Sequence, residues 1–143
     1  MEQNAHFITV STADLPAARE FYVGALGWTP TLDVPGEIIF FQIAPGVLLG
    51  LFDAGSFARD VGDGADHSRV AGMTLAHNVA DRDSVRSLAR VMEEAGGTVV
   101  KSPREGDFGG VFHALVRDPN GLLWEIAHNP GWSVAEDGTV ILG

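Results

Sequence analysis

The chain has 143 residues, 45% of them hydrophobic and 8% aromatic, which suits one folded domain with a real core and excludes a disordered protein. Nineteen Asp and Glu residues against nine Lys and Arg give a formal net charge of -10, which opposes binding to nucleic acid or to anionic membranes. No apolar run reaches the roughly 20 residues that span a bilayer, and the N-terminus lacks a signal-peptide pattern, so we expect a cytoplasmic protein. Cysteine is absent, so histidine and carboxylate side chains would have to bind any metal.

The first part of the chain predicts a strand, a helix and three further strands. A strand is expected at 6–11. The segment "ADLPAAREFYVGALGW" then predicts a helix that starts at Asp14, carries a proline in its first turn and ends near Gly27. Its apolar residues form one stripe: Leu15, Ala18, Phe21, Tyr22 and Ala25. Strands are predicted at 29–34, 37–43 and 47–53.

The second part of the chain repeats this order of elements. Strands are predicted at 71–79, 98–102, 111–117 and 122–128. Between the first two, "DSVRSLARVMEEAGGTVV" predicts a helix with Ser84 as its cap. Its apolar stripe has the same spacing as the first helix: Val85, Leu88, Val91, Met92 and Ala95. Segment 54–70, rich in glycine and aspartate, predicts a linker, and turn signals after 128 predict a final hairpin.

Strand, helix and terminal hairpin recurring in the same order indicate an internal duplication. The run "GVLLGLFD" at 46–53 resembles "GLLWEIAH" at 121–128. We therefore predict an α+β fold of two tandem βαβββ modules, forming a curved mixed sheet around a central cavity. Module one is expected at about 5–53, the linker at 54–70, module two at 71–128 and the tail at 129–143.

Glu125 lies in the apolar strand that follows the turn-rich segment "RDPNG". Because strand side chains alternate, Leu123, Glu125 and Ala127 share one face. An ionised carboxylate is costly to bury without a partner, so this face should open to water or supply a cation, a metal or hydrogen-bond donors. Glu125 is therefore the first candidate for a functional residue on a pocket wall.

The pair of segments "VSTADLPAAREFYVGALGW" and "RDPNGLLWEIAHNPGW" resembles the vicinal oxygen chelate superfamily, which includes glyoxalases, extradiol dioxygenases and bleomycin-resistance proteins. The resemblance implies paired modules around a cavity, with metal ligands on the first and last strands of each module. It puts Glu125 at one ligand position. At two others stand Gly50, which has no side chain, and Phe7.

The fourth ligand position has two alternatives. One alignment selects Thr74, so that Thr74, Ala76 and Asn78 line the cavity while His77 points to the helix layer. The other alignment makes His77 a metal ligand together with Glu125. Because about three protein ligands are usual in a catalytic metal site, the resemblance implies a degraded site. We expect no cofactor, with a divalent metal as the alternative.

His113 is a second candidate for catalysis beside Glu125. If Asp118 pairs with Gly121 in the turn, Ala114 lies opposite Glu125 and His113 faces away. A shift in the pairing reverses that conclusion.

We predict a small-molecule-binding protein similar to the bleomycin-resistance branch, sequestering an aromatic or cationic compound in an apolar pocket as a homodimer. The alternative is a lyase, isomerase or dioxygenase that uses a metal or takes Glu125 as its base. Phe41 would lie opposite Gly50 if "APGV" forms a four-residue turn. The predicted ligand-binding residues are Phe7, Thr9, Phe41, Gly50, Thr74, Ala76, Asn78, Phe108, Phe112 and Glu125.

Overall fold

The computed structural model of the chain describes residues 1–62, 70–107 and 109–142. These residues form two compact units. The first comprises Met1–Met73 with Asp118–Leu122, and the second comprises Thr74–Arg117 with Leu123–Gly143. All eight strands predicted between 6 and 128 are present, and each end lies within three residues of its prediction.

The first unit contains a four-stranded mixed sheet in the order β1-β4-β3-β2. Strand β1 runs parallel to β4, and the other neighbours are antiparallel. This arrangement confirms the predicted βαβββ order of the module. The elements of the unit are β1 (Phe7–Thr12), α1 (Leu15–Arg19, continued by π-helical turns over Glu20–Ala25), β2 (Leu32–Val34), β3 (Ile38–Ala44), β4 (Val47–Asp53) and α2 (Ala54–Val61).

Helix α1 begins where the sequence predicts. The Asp14 side chain accepts a hydrogen bond of 2.9 Å from the backbone N–H of Ala17, which satisfies one of the donors left unpaired at a helix start. Gly27 follows with a φ of 70°, a left-handed conformation that favours glycine. Four residues of the predicted apolar stripe, Leu15, Ala18, Phe21 and Tyr22, are buried, whereas the fifth, Ala25, is exposed.

Helix α2 is a correction to the predicted linker at 54–70. Asp53 ends β4 and also caps this helix, since its side chain accepts a hydrogen bond of 2.9 Å from the backbone N–H of Ser56. Gly62, with a φ of 67°, closes it. Aspartate and glycine were interpreted as typical of a linker. In the structure, Asp53 starts a short helix and Gly62 ends it.

The second unit repeats the topology of the first, with a mixed sheet in the order β5-β8-β7-β6. Its helix starts after Asp81, which accepts a hydrogen bond of 2.7 Å from the Ser84 N–H; the prediction of Ser84 as the cap is wrong by one turn. The predicted C-terminal hairpin is confirmed by the antiparallel pairing of β9 with β10. The elements are β5 (Thr74–Asn78), α3 (Arg82–Glu94), β6 (Thr98–Glu105), β7 (Phe112–Arg117), β8 (Leu123–His128), β9 (Trp132–Val134) and β10 (Val140–Leu142).

A buried carboxylate anchors the turn at 118–122 within the first unit. Asp118 is 4% exposed, and its Oδ2 accepts a hydrogen bond of 2.8 Å from the Tyr22 hydroxyl. Its Oδ1 accepts bonds of 2.9 Å from the backbone N–H groups of Asn120 and Leu122. Burial raises the pKa of Asp118, and these hydrogen bonds oppose that shift only in part. None of the described helices is long and apolar enough to cross a membrane.

Candidate functional site

Glu125 lies on β8, between β5 and β7 of the second sheet. It pairs with Ala76 on one side and with Leu115 on the other. Because paired residues point to the same face, Thr74, Ala76 and Asn78 share the face of Glu125. Of the residues of β8 that point the other way, Trp124 and Ile126 are buried and His128, at the end of the strand, is partly exposed.

His113 also lies on the Glu125 face. Leu115 rather than Ala114 is the partner of Glu125, and Ala114 pairs with Ile126. The turn explains the difference, because the Asp118 N–H donates to the Leu122 carbonyl at 2.9 Å and the strands pair one residue later than a turn ending at Gly121 would allow. The alternative in which His113 faces away is therefore wrong.

The two side chains are directly hydrogen bonded. His113 Nδ1 is 2.7 Å from Glu125 Oε1. The His113 side chain is 15% exposed and that of Glu125 is 30% exposed, so the pair is shielded from bulk water but reachable from it. The sequence indicated that Glu125 needs a partner. That partner is the imidazole of His113, which lies on the neighbouring strand β7 two residues before Leu115.

Lys101 extends this pair into a chain of three, and it was missed by the sequence analysis. Its Nζ is 2.8 Å from His113 Nε2. Val99 pairs with Val116 and Lys101 pairs with Leu115, so two residues of β6 correspond to one residue of β7. Val100 is therefore an extra residue, and it reverses the face to which Lys101 points. Such a bulge is not visible in the sequence. The available signal was composition, because Lys101 is the only lysine in the chain.

The numbers of donors and acceptors on the three side chains determine which of their atoms carry protons. An ammonium group has only donors, so Lys101 donates to Nε2 of His113, which must be its unprotonated nitrogen. The proton of the neutral ring is then on Nδ1, which donates to the Glu125 carboxylate. The positive charge of Lys101 and the negative charge of Glu125 offset one another across the ring.

Two predicted residues of the second unit face the other way. His77 pairs with Ile126, on the face opposite Glu125, so the structure does not bring it to Glu125 as a second metal ligand. Phe112 is 5% exposed and lies under the guanidinium groups of Arg82 and Arg86, at 5.4 and 4.6 Å from its ring centre. Phe112 is a core residue against helix α3, which corrects its assignment as a ligand contact.

In the first unit, Phe7, Thr9 and Gly50 share one face of the sheet, as the register of β1 with β4 requires. Phe7 is 58% exposed. The residue opposite Gly50 is Phe40, whose ring leaves no room for a larger side chain, because a Cβ at position 50 would lie 2.8 Å from Phe40 Cε1. The glycine thus accommodates a phenylalanine ring across the strands.

Phe41 is a correction to the predicted site. It pairs with Leu49 and is 1% exposed, and its ring packs against Tyr22 and Trp28 with centroid distances of 5.6 and 5.4 Å. Ala44 pairs with Val47, so the predicted four-residue turn forms, but the register shifts between Gln42 and Ala44, and this shift places Phe41 opposite Leu49 instead of Gly50. Phe108, another predicted contact, lies outside the described residues.

Equivalent positions in the two sheets can be compared through their registers. Gly50 pairs with Thr9 as Glu125 pairs with Ala76, and Phe7 and Thr74 stand two residues earlier on their strands. Among the residues described, no three His, Asp or Glu side chains form a group that could hold a metal ion. The carboxylate of Glu125 is the one charged group at these equivalent positions.

Residues 4–126 match the family described as the Glyoxalase/Bleomycin resistance protein/Dioxygenase superfamily. A glyoxalase-related enzyme from Fulvimarina pelagi is 36% identical, with 99% of each chain covered and a TM-score of 0.88. A lactoylglutathione lyase from Agrobacterium tumefaciens is 22% identical, with 89% of this chain and 94% of that chain covered and a TM-score of 0.66. A hypothetical protein from S. aureus is 23% identical, with 90% and 94% covered and a TM-score of 0.74. The comparison with curated proteins gave no match.

Proposed function

The chain belongs to the Glyoxalase/Bleomycin resistance protein/Dioxygenase superfamily, and from that premise we propose that it binds a small organic molecule on the Glu125 face of its second sheet. The observation that carries this proposal is the hydrogen-bonded chain of Lys101, His113 and Glu125. A few convergent polar groups on an otherwise apolar surface are typical of small-molecule sites, since they orient the ligand while apolar contacts hold it.

The charges of this site favour an oxygenated ligand over a simple cation. Lys101 offsets the charge of Glu125, so the attraction of Glu125 for a positive ligand is reduced. Two ammonium protons of Lys101 and Oε2 of Glu125 have no hydrogen-bond partner among the described residues. A ligand with a carbonyl or hydroxyl oxygen would meet both donors and an acceptor there.

The donor set does not fit the metal that the superfamily resemblance implies. At the positions carried over from the family, Phe7 and Gly50 offer no ligand atom and Thr74 offers only a neutral hydroxyl. His113 has nitrogen atoms near Glu125 that could bind a metal, but both of its ring nitrogens are already hydrogen bonded. We therefore propose that the ligand binds without a metal.

Ligand binding can be tested by NMR with a fragment set of neutral aromatic carbonyl compounds and alcohols, against an equal set of amines. We expect oxygenated fragments to shift resonances of Leu115, Glu125 and Ala127, and Glu125→Gln to weaken their binding by about tenfold, the loss of one charge-assisted hydrogen bond. Glu94→Gln is the matched control, because Glu94 is an exposed carboxylate of the same unit. Preferential binding of amines, or equal effects of the two variants, would contradict the proposal.

A metal-free enzyme is the second candidate function. It is favoured by the same hydrogen bond between His113 and Glu125, because a carboxylate that orients a histidine is an arrangement used for general acid-base catalysis. Turnover of a bound carbonyl fragment, lost in His113→Gln while binding is retained, would support this candidate over simple sequestration.

The homodimer expected from the resemblance is also a proposal. Supporting it, the hairpin β9–β10 exposes apolar side chains, with Trp132 at 39%, Ile141 at 53% and Leu142 at 77%. Light scattering of the full chain and of Ile141→Asp tests it, since a charge in an apolar contact between subunits should dissociate them.

A further inference from the structure

Lys101, His113 and Glu125 have the geometry of an activated nucleophile. An amine lies 2.8 Å from an imidazole nitrogen, and the other nitrogen of that ring is held by a carboxylate at 2.7 Å. A nucleophile within hydrogen-bond reach of a base, with the base oriented by a third group, is the arrangement by which enzymes generate reactive side chains. When the nucleophile is a lysine amine, the chemistry that it performs is addition to a carbonyl carbon.

We infer that Lys101 forms an imine with the aldehyde or ketone group of the ligand, with His113 as the base and Glu125 as the residue that positions His113. The inference rests on the proposed function, because it takes the oxygenated ligand of that site and specifies its class as a carbonyl compound. It adds a covalent step at a named atom, Nζ of Lys101.

The proton inventory of the site matches what this step needs. An ammonium group has no lone pair, so Lys101 must first lose a proton, and Nε2 of His113 is the acceptor toward which it already donates. The imidazolium that results is stabilised by the Glu125 carboxylate at Nδ1. The transfer separates no new charge from its partner, because the positive charge moves from Lys101 to a ring already bonded to the carboxylate.

The covalent step then balances without another reactant. The amine lone pair of Lys101 attacks the carbonyl carbon, a C–N bond forms, and the carbonyl oxygen takes the proton from His113 to become a hydroxyl. The nitrogen next gives a proton back to His113, which passes it to the hydroxyl as the C–O bond breaks and water leaves. In sum, an ammonium group and a carbonyl compound give a protonated imine and one water, with nothing oxidised or reduced.

The composition of the chain makes this inference unusually easy to test. Lys101 is the only lysine, so the tag-free protein has one other primary amine, at its N-terminus. That amine serves as an internal reference in the same sample. The intact, full-length protein is incubated with benzaldehyde or acetaldehyde and sodium cyanoborohydride, which converts an imine into a stable secondary amine, and the modified positions are assigned by peptide mass spectrometry.

The expected result is that Lys101 is modified faster than the N-terminal amine. In His113→Gln the rate at Lys101 should fall by about 100-fold, the lower end of what a positioned general base contributes, while the N-terminal rate stays unchanged. Glu125→Gln, which leaves the ring in place but removes the charge that stabilises its protonated form, should cause a smaller fall at Lys101. Lys101→Arg should leave the N-terminus as the only modified amine.

Other results would overturn the inference. These are modification of Lys101 no faster than the N-terminus, or a His113→Gln rate equal to that of the wild type. If His113→Gln does not fold, the ratio of the Lys101 rate to the N-terminal rate in Glu125→Gln carries the same decision, since both amines react with the same aldehyde and reductant at the same pH and only Lys101 lies beside His113.

Benzyl alcohol, which has no carbonyl group, separates the two proposals. Saturable binding of benzyl alcohol and benzaldehyde at the Glu125 face, without preferential modification of Lys101, would overturn imine formation and leave the proposed function standing. Preferential modification of Lys101 without saturable binding of either compound would overturn the proposed binding function and leave the reactive amine.

Discussion

Leu115 lies directly opposite Glu125 in the antiparallel pair of β7 and β8, and this one register decides the chemistry of the second sheet. It puts His113 on the face of Glu125, where their side chains meet at 2.7 Å. A pairing displaced by a single residue would turn His113 to the face occupied by helix α3 and leave Glu125 without a partner.

The first prediction concerns the tautomer of His113. Because Lys101 donates to Nε2 and Glu125 accepts from Nδ1, the neutral ring should carry its proton on Nδ1, which is the less common form of a free histidine. Nitrogen-15 NMR of labelled protein distinguishes the two tautomers directly. Glu125→Leu should shift the population toward the Nε2 form, whereas Glu94→Leu should not. A wild-type ring protonated on Nε2 would show that the assigned chain is incorrect.

The second prediction concerns metal affinity. Glu125 and His113 provide two donors, and His77 lies on the other face of the sheet, so tight and selective metal binding should not occur. Calorimetric titration of tag-free protein with manganese, nickel, zinc and iron(II) should therefore show no stoichiometric binding. A 1:1 complex that disappears in Glu125→Gln would contradict this prediction. It would mean that further residues, besides those brought together by the pairing of β5, β7 and β8, also bind the metal.

The third prediction separates two adjacent phenylalanines. Phe41 is 1% exposed against Tyr22 and Trp28, so Phe41→Ala should lower the free energy of unfolding by about 3–5 kcal/mol, the usual cost of removing a buried ring. Phe40 points to the opposite face and packs edge-on to the exposed Phe7. Phe40→Ala is the matched control and should cost clearly less in urea denaturation. Equal losses would contradict the assignment of Phe41 to the core.

The fourth prediction is a dependence of stability on pH at Asp118. Burial raises its pKa above the ordinary value of 3.8, so the folded state binds this proton more tightly than the unfolded state. The contribution of Asp118 to stability is therefore greatest at low pH and falls as pH rises through its folded pKa. Asp118→Asn cannot ionise and keeps an oxygen for the two backbone donors, so it should gain stability relative to the wild type as pH rises from about 4 to about 7.

Asp137 is the control for that measurement. It is exposed, and the hydrogen bond from the Thr139 backbone N–H lowers its pKa, so its stabilising contribution is present at neutral pH and lost on acidification. Asp137→Asn should consequently keep a nearly constant difference from the wild type over the same range, and should gain stability relative to the wild type only on acidification below the ordinary value of 3.8. Urea denaturation at several pH values measures both variants, and a pH-independent difference for Asp118→Asn would argue against the buried carboxylate.

Local sequence patterns determined the elements of this fold. The apolar stripes of α1 and α3 and the alternation along β8 are properties of short segments, and their repetition is enough to predict two βαβββ modules. Even the face of Glu125 follows from its own strand. The same reasoning failed at α2, because a helix of eight residues between Asp53 and Gly62 leaves too short a pattern to outweigh a composition typical of linkers.

Only the tertiary structure decided which side chains meet. The partner of Glu125 depends on the number of residues in the turn after β7, the position of Lys101 depends on a bulge at Val100, and the displacement of Phe41 from Gly50 depends on a register shift after Gln42. Each of these is a change of one residue in strand pairing, which reverses the face of a side chain while leaving composition and periodicity almost unaltered. Apart from α2, the helices and strands were therefore predictable from the sequence by itself, whereas the lysine–histidine–glutamate site exists only because three strands pair in one particular register.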